Sequence, residues 1–285
     1  MVRSVVVREH GGSGVLHVEE RDPGTPGPGS VRVRASASGV NFIDVYMRTG
    51  LYPRPAPFVL GLEGAGVVEA VGPGAHDVAE GDRVAWASVP GSYAESLIAP
   101  ADRVVPIPAG VSDQVAAAAM LQGMTAHYLV HGVRETASGD RALVHAAAGG
   151  VGLLLIQMLK AEGARVMGTC STEEKEALAS RAGADEVVRY SERDFASAAR
   201  EWTGGRGVDV VYDSVGRTTF EASMKSLRPR GLLCLYGQSS GDVPPFDLNR
   251  LNAMGSLFVT RPSLAHYTAS RSELEERAGA VLGAI

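Results

Sequence analysis

The residues best suited by type and spacing to do chemistry are Ala147-Ala148-Gly149-Gly150-Val151-Gly152, between the apolar run Arg141–Ala146 and a second apolar run. They are the Ala-first variant of Gly-x-Gly-x-x-Gly, set between an expected strand and an expected helix. Ala147 is small enough for a tight turn, and Gly149 lacks the Cβ that would keep the backbone away from a pyrophosphate. Gly152 lets the helix pack closely on its sheet. An anion at the bend meets unpaired N–H groups at the positive end of the helix. The pattern points to a dinucleotide, although helix–sheet packing alone also favours small residues here.

The end of the next strand bears on which dinucleotide. A cofactor without a 2′-phosphate usually meets an Asp or Glu there. This chain offers Gly168-Thr169-Cys170-Ser171-Thr172, with Glu173 and Glu174 inside the following helix and Lys175 one turn on. Hydroxyls and a cation suit a phosphate, so NADPH is the expected cofactor. Lys175 by itself reads equally as a solvated surface lysine. His127 and His131 stand i, i+4 on one helix face, but no third metal ligand is evident.

The elements that hold these residues follow from periodicity and turn signals. Strands are expected at Arg141–Ala146, Arg165–Thr169, Glu186–Tyr190, Val208–Asp213 and Leu232–Tyr236. Helices are expected at Val151–Glu162, from a Ser171-Thr-Glu-Glu capping box to Gly183, from Ser191 to Trp202, and at Thr218–Leu227. Apolar strands alternating with helices imply an α/β fold with a doubly wound parallel sheet of the Rossmann kind. Before Gly110 the texture is different. Val2–Glu9, Val31–Ala37, Gly66–Val71, Asp82–Trp86, Tyr93–Ala99 and Asp102–Ile107 read as short strands of a rolled sheet, interrupted by a helix at Phe42–Thr49. Ser112 is expected to cap a long helix running toward His131.

Composition narrows the function classes. The chain has 285 residues, with 27 Lys+Arg against 32 Asp+Glu and no charge blocks, so a nucleic-acid partner is not expected. Two distant cysteines, Cys170 and Cys234, exclude a disulfide framework and a Cys-rich zinc lobe. No secretory signal or membrane span is read, and a cytoplasmic location is expected.

Longer stretches carry a resemblance. These are Val40–Tyr46, Arg48–Tyr52, Gly61-Leu-Glu-Gly-Ala-Gly66, Gly81-Asp-Arg-Val84, His145–Gly152, Asp213-Ser-Val-Gly216, Gly237–Gly241 and Val259–Leu264. Over essentially its whole length the chain resembles the zinc-free, zeta-crystallin-like quinone oxidoreductases of the medium-chain dehydrogenase/reductase superfamily. The resemblance implies a GroES-like catalytic domain over residues 1–113, completed by 256–285, and a Rossmann NADP-binding domain over 114–255. It places the active site in the cleft between them. Members usually continue well past this chain's last residue. The positions that carry zinc ligands in metal-dependent relatives are Leu62 and Asn41 here, and neither side chain replaces such a ligand. That favours an acceptor activated by its own conjugation, such as a quinone.

The resemblance also distributes roles. Asn41, Asp44, Tyr46 and Tyr52 are implied to line the reaction space, with Asn41, Phe42, Ile43 and Tyr128 against the nicotinamide. Ala147, Gly149, Gly150, Val151 and Gly152 form the pyrophosphate turn. Thr169, Ser171 and Lys175 face the adenosine phosphate and Tyr190 the adenine. Ser214, Gly237, Gln238, Ser239, Ser240, Val259, Thr260 and Arg261 come from later strand ends and loops. Plainer readings stand beside these: Asp44 as a first-turn residue, Tyr46 and Tyr190 as packing, Arg261 as a surface charge. A homodimer joined at the Rossmann sheet edge, with Leu232–Tyr236 and Leu257–Thr260 as apolar candidates, is expected. Two alternatives remain open, an enal, enone or enoyl-thioester reductase and an NADPH-binding, RNA-binding protein.

Overall fold

The computed structural model describes residues 1–285. Its contacts divide them into two compact units, Met1–Met124 with Thr268–Ile285, and Thr125–Tyr267.

The first unit is built on antiparallel strands. Its elements are β1 (Val2–Val7), β2 (Leu16–Arg21), β3 (Ser30–Gly39), α1 (Phe42–Thr49), β4 (Phe58–Val59), β5 (Glu63–Val71), β6 (Arg83–Trp86), β7 (Ser96–Pro100) and β8 (Val104–Pro106). They form a three-stranded sheet, β2-β1-β4, and a five-stranded sheet, β7-β3-β5-β6-β8. Val31, Val33, Val68, Val84, Trp86, Leu97 and Val104 fill the core of the larger one. Helix α1 has the expected bounds because it is punctuated at both ends. Asn41 is extended at its start, and Gly50 ends it at φ 81°, which a residue without Cβ adopts freely. Strand β2 has no counterpart among the expected strands. It is an edge strand with three charged residues and a largely exposed Val18, so it lacks the apolar run that marks a buried strand.

Helix α2 (Asp113–Tyr128) runs from the first unit into the second and ends in a π-turn at Leu129–Val133, where the sequence predicts one helix running toward His131. The Ser112 hydroxyl accepts the Val115 N–H, as expected of a cap. Next come β9 (Arg141–Val144), α3 (Gly150–Ala161), β10 (Arg165–Cys170), α4 (Glu173–Arg181), β11 (Glu186–Arg189), α5 (Phe195–Trp202), β12 (Val208–Asp213), α6 (Phe220–Ser226) and β13 (Leu227–Leu235). The last of its elements are α7 (Asn249–Ala253), β14 (Phe258–Thr260) and α8 (Leu264–Tyr267). Helix α9 (Arg271–Gly283) returns to the first unit.

Six parallel strands in the order β11-β10-β9-β12-β13-β14 make a doubly wound sheet. Alternate residues of β9 separate its two faces. Ala142 and Val144 pack with Leu155, Ile156 and Leu159 of α3, while Leu143 packs with Phe195, Ala198 and Met224 of α5 and α6.

Three local expectations are corrected. Helix α4 is capped by Thr172, whose hydroxyl accepts the Lys175 N–H, so the box read from Ser171 is displaced by one residue. Helix α5 is capped by Asp194 rather than Ser191, because residues 190–193 form a turn. Leu232–Tyr236 is not at the sheet edge, since β13 lies between β12 and β14. The exposed edge residues are Phe258 and Val259.

Candidate functional site

Both units gather polar side chains. In the second, β9 ends in a bend whose left-handed residue is Ala146 (φ 50°), and the Gly149 N–H donates to its carbonyl at 2.8 Å. The sequence reading gave the tight turn to Ala147. Ala147 instead packs beneath β10, where a Cβ on Gly168 would lie 2.8 Å from its own Cβ. A Cβ on Gly152 would lie 2.4 Å from the Ala146 oxygen, so the first turn of α3 can approach the bend only with glycine there.

A cavity of about 730 Å³ opens beside this bend. Its lining brings together Gly149, Thr169, Ser171, Lys175, Tyr190, Ser239 and Ser240 of the expected residues. Ala147, Gly150, Val151 and Gly152 are not part of the lining. Lys175 donates from Nζ to the Ser171 hydroxyl at 3.1 Å, and no carboxylate stands at the end of β10. Tyr190 is 56% exposed on the cavity wall, which removes its plainer reading as strand packing.

The later loops are knitted together next to the cavity. The Ser240 hydroxyl donates to the Val215 carbonyl and accepts the Thr218 N–H, and the Ser239 N–H donates to the Ser214 carbonyl. A Cβ on Gly237 would sit 2.7 Å from that same carbonyl. Arg261 donates to the Leu235 carbonyl and to Gln238 Oε1, so it is a built-in contact rather than a loose surface charge. Val259 and Thr260 lie on the edge strand, and Tyr128 is buried, stacked on Tyr267 with ring centroids 4.5 Å apart. None of Tyr128, Ser214, Gly237, Gln238, Val259, Thr260 and Arg261 is part of the cavity lining.

In the first unit α1 sets the geometry. Asp44 accepts the Asn41 N–H at 2.9 Å, which fixes the start of the helix, and accepts the Tyr93 hydroxyl at 2.7 Å with the same oxygen. Its other oxygen is buried without a partner. Burial pushes the Asp44 carboxyl above its ordinary range. Tyr46 and Tyr52 lie ring to ring at 5.0 Å, with Phe42 against Tyr46 at 5.2 Å. Phe42 itself is more than half exposed, and Ile43 follows it on α1.

Asn41 leads to a residue that the sequence reading left without a role. Its Nδ2 donates to Glu63 Oε2 at 2.6 Å, and its Oδ1 accepts from Gln122 Nε2 at 3.2 Å. Glu63 is wholly buried and also accepts the Leu121 N–H at 2.5 Å. Burial pushes its carboxyl up to about 7, against the opposing pull of those two hydrogen bonds. A Cβ on Gly39 would meet Glu63 Oε2 at 2.1 Å, so the preceding strand is cut away to admit the carboxylate. The signal was present in sequence as a lone acid inside Val59-Leu-Gly-Leu-Glu-Gly-Ala-Gly-Val67.

The chain is similar to known proteins in sequence and fold. Residues 27–109 match the alcohol dehydrogenase GroES-like domain, and residues 150–276 match the zinc-binding dehydrogenases. The chain is 45% identical to quinone oxidoreductase 1 of Escherichia coli, over 97% of this chain and 85% of that protein. It is 44% identical to a 2-haloacrylate reductase of Burkholderia, over 100% of this chain and 88% of that one. A mycobacterial protein solved in complex with NADPH superposes with a TM-score of 0.96 at 50% identity, covering 100% of this chain and 88% of its own. The zinc in the second family description finds no donor set here. No three His, Cys, Asp or Glu side chains gather as ligands; His127 and His131 lie with ring centroids 4.6 Å apart, and Glu162 stands 3.9 Å from His131.

Proposed function

The chain belongs to the quinone oxidoreductase family of the medium-chain dehydrogenases/reductases, and we propose that it reduces quinones or similarly conjugated carbonyls with NADPH. The observation that carries this reading is the end of β10, where Ser171 and Lys175 line the cavity and the residues that follow the strand, Ser171 and Thr172, are not acidic. A ribose without a phosphate would want a carboxylate at that place; a phosphorylated one wants donors and positive charge. The cavity beside the Ala146–Gly149 bend fits the adenosine end of such a cofactor, and the first turn of α3 offers its N–H groups to a pyrophosphate.

Bound NADPH supplies a hydride from nicotinamide C4, so the protein's own task is orientation. We assign Asn41, Asp44, Tyr46 and Tyr52 to the acceptor, with a tyrosine hydroxyl or water giving the proton that its oxygen takes up. Glu63 and Gln122 hold the Asn41 amide from both ends, so its orientation is set before any ligand arrives. The remaining cofactor residues named from the resemblance stay part of this proposal, as do the two-domain division at residues 113 and 256 and a homodimer.

Loss of NADPH absorbance with a small benzoquinone, run beside an enone, an enoyl thioester and a 2-haloacrylate, tests the reading and ranks the acceptors. The 2-haloacrylate belongs in the set because a reductase of it is a relative at comparable identity. Lys175→Asp is expected to raise the KM for NADPH about tenfold, the worth of one charge-assisted hydrogen bond, and to shift preference toward NADH. Unchanged selectivity removes Lys175 from the site. Absence of both turnover and NADPH binding in the wild type removes the function.

A further inference from the structure

Five side chains, of which His145, Thr169 and Thr219 belong to the cavity lining, form one hydrogen-bonded line. His145 is 1% exposed; its Nδ1 lies 2.8 Å from the Thr169 hydroxyl and its Nε2 lies 2.9 Å from the Ser223 hydroxyl. Ser223 in turn lies 2.9 Å from Asp213 Oδ2, which also takes the Thr219 hydroxyl at 2.7 Å. Asp213 Oδ1 accepts the N–H groups of Val215 and Gly216. Asp213 and Ser223 are fully buried, and the Phe195 ring stands edge-on against His145 at 4.7 Å.

The direction of each hydrogen follows from the far end of this line. Asp213 is surrounded by four donors and has none to lend, which is the environment of an ionised carboxylate. The Ser223 hydroxyl therefore spends its one hydrogen on Asp213 and can only accept from His145. That places a hydrogen on Nε2. Both ring nitrogens face hydroxyls, with no carboxylate in direct contact, and Asp213 is the one charged group whose influence reaches the ring. Burial disfavours the imidazolium, so Nδ1 carries a lone pair and takes the Thr169 hydrogen.

We propose that Asp213, acting through Ser223 and His145, polarises this line and presents Thr169 to the cavity solely as a hydrogen-bond acceptor. Its ligand there is then a donor, a ribose hydroxyl of the bound nucleotide, and not a phosphate oxygen, which itself can only accept. This divides a trio that the resemblance had kept together. Ser171, relieved of donating to Lys175, keeps its hydrogen for an anion, whereas Thr169 has already committed its own. His145 and Ser223 are positioning residues. The identity of the ligand rests on the dinucleotide reading; the polarity of the line does not.

The test has two parts that fail separately. In ligand-free protein labelled with ¹⁵N-histidine, with the His145 signals assigned by their loss in His145→Gln, the ring is expected to be the neutral Nε2–H tautomer across about pH 6 to 8. In Ser223→Ala, Nε2 loses its partner and the Nδ1–H form is expected to grow in. An Nδ1–H ring or an imidazolium in the wild type overturns the relay, as does an unchanged tautomer in Ser223→Ala. In the second part Thr169→Val is expected to weaken NADPH and NADH by the same factor, about fivefold, because the contact is to a group common to both. Weakening of NADPH alone, or of neither, overturns the ligand assignment. If Thr169→Val does not fold, the tautomer in the wild type still decides the relay. A wild type that binds neither cofactor sinks the dinucleotide reading instead and leaves the tautomer result standing.

Discussion

Two buried polar clusters, one in each compact unit, are made from similar side chains and come to opposite electrostatic ends. Around Asp213 every donor meets an acceptor, and the carboxylate collects two backbone N–H groups and two hydroxyls. Around Glu63 and Asp44 the donors run short. One Asp44 oxygen has no partner, no cation is paired with either acid, and the Asp44 charge adds to the cost of ionising Glu63. The lesson is that burial pushes a carboxyl up while each hydrogen aimed at it pulls the other way, so similar side chains reach different balances. At Glu63 burial prevails over two hydrogen bonds and holds the carboxyl at about 7.

The sharpest way to break this contrast is to remove Asp213. Asp213→Ala leaves two N–H groups and the buried Ser223 hydroxyl without their acceptor, while Thr219 keeps the Gly216 carbonyl. It is expected to cost about 3–5 kcal/mol of folding stability, read from urea denaturation. A loss below about 1 kcal/mol would mean that the cluster is not the saturated one.

Glu63 should behave in the reverse manner. Its folded carboxyl titrates at about 7 against an ordinary 4.5, so the native state holds a proton that the unfolded chain has already released. Stability is therefore greatest at or below pH 4.5 as far as this group is concerned. It falls by about 3 kcal/mol as pH rises to 7 and is level above that. Glu63→Gln is expected to abolish that slope in urea midpoints measured against pH; a slope that survives in the variant puts its origin elsewhere.

The smallest effect is expected at the rim of the same cluster. Tyr93→Phe deletes the hydroxyl that donates to Asp44 and should cost about 1 kcal/mol. The loss should shrink as pH falls and the acid takes up its proton, since the hydroxyl favours the charged form of the acid. A loss that does not change with pH would show that the hydroxyl does not distinguish the two forms.

Much of the frame was legible because its signals are local. Helix α1 lies between Asn41 and Gly50, and the strand, bend and helix around Gly149 keep the order that the small residues require. Where reading slipped, competing caps stood next to each other, as with Ser171 and Thr172, or a strand lacked an apolar face, as with β2. The cavity was legible only in part. Lys175 and Ser171 announce themselves as a cation and a hydroxyl near a strand end, whereas His145 and Asp194 line the same space from positions that no spacing rule marks.

The amino-acid order by itself determined the doubly wound sheet, the glycine bend and the missing acid at the end of β10, because each depends on neighbours a few residues away. Tertiary structure decided the states of the acids and the direction of the hydrogen bonds. Glu63 meets Asn41 across 22 positions and His145 meets Ser223 across 78. A proton's preference is the sum of such encounters, which come into being only when the chain has folded.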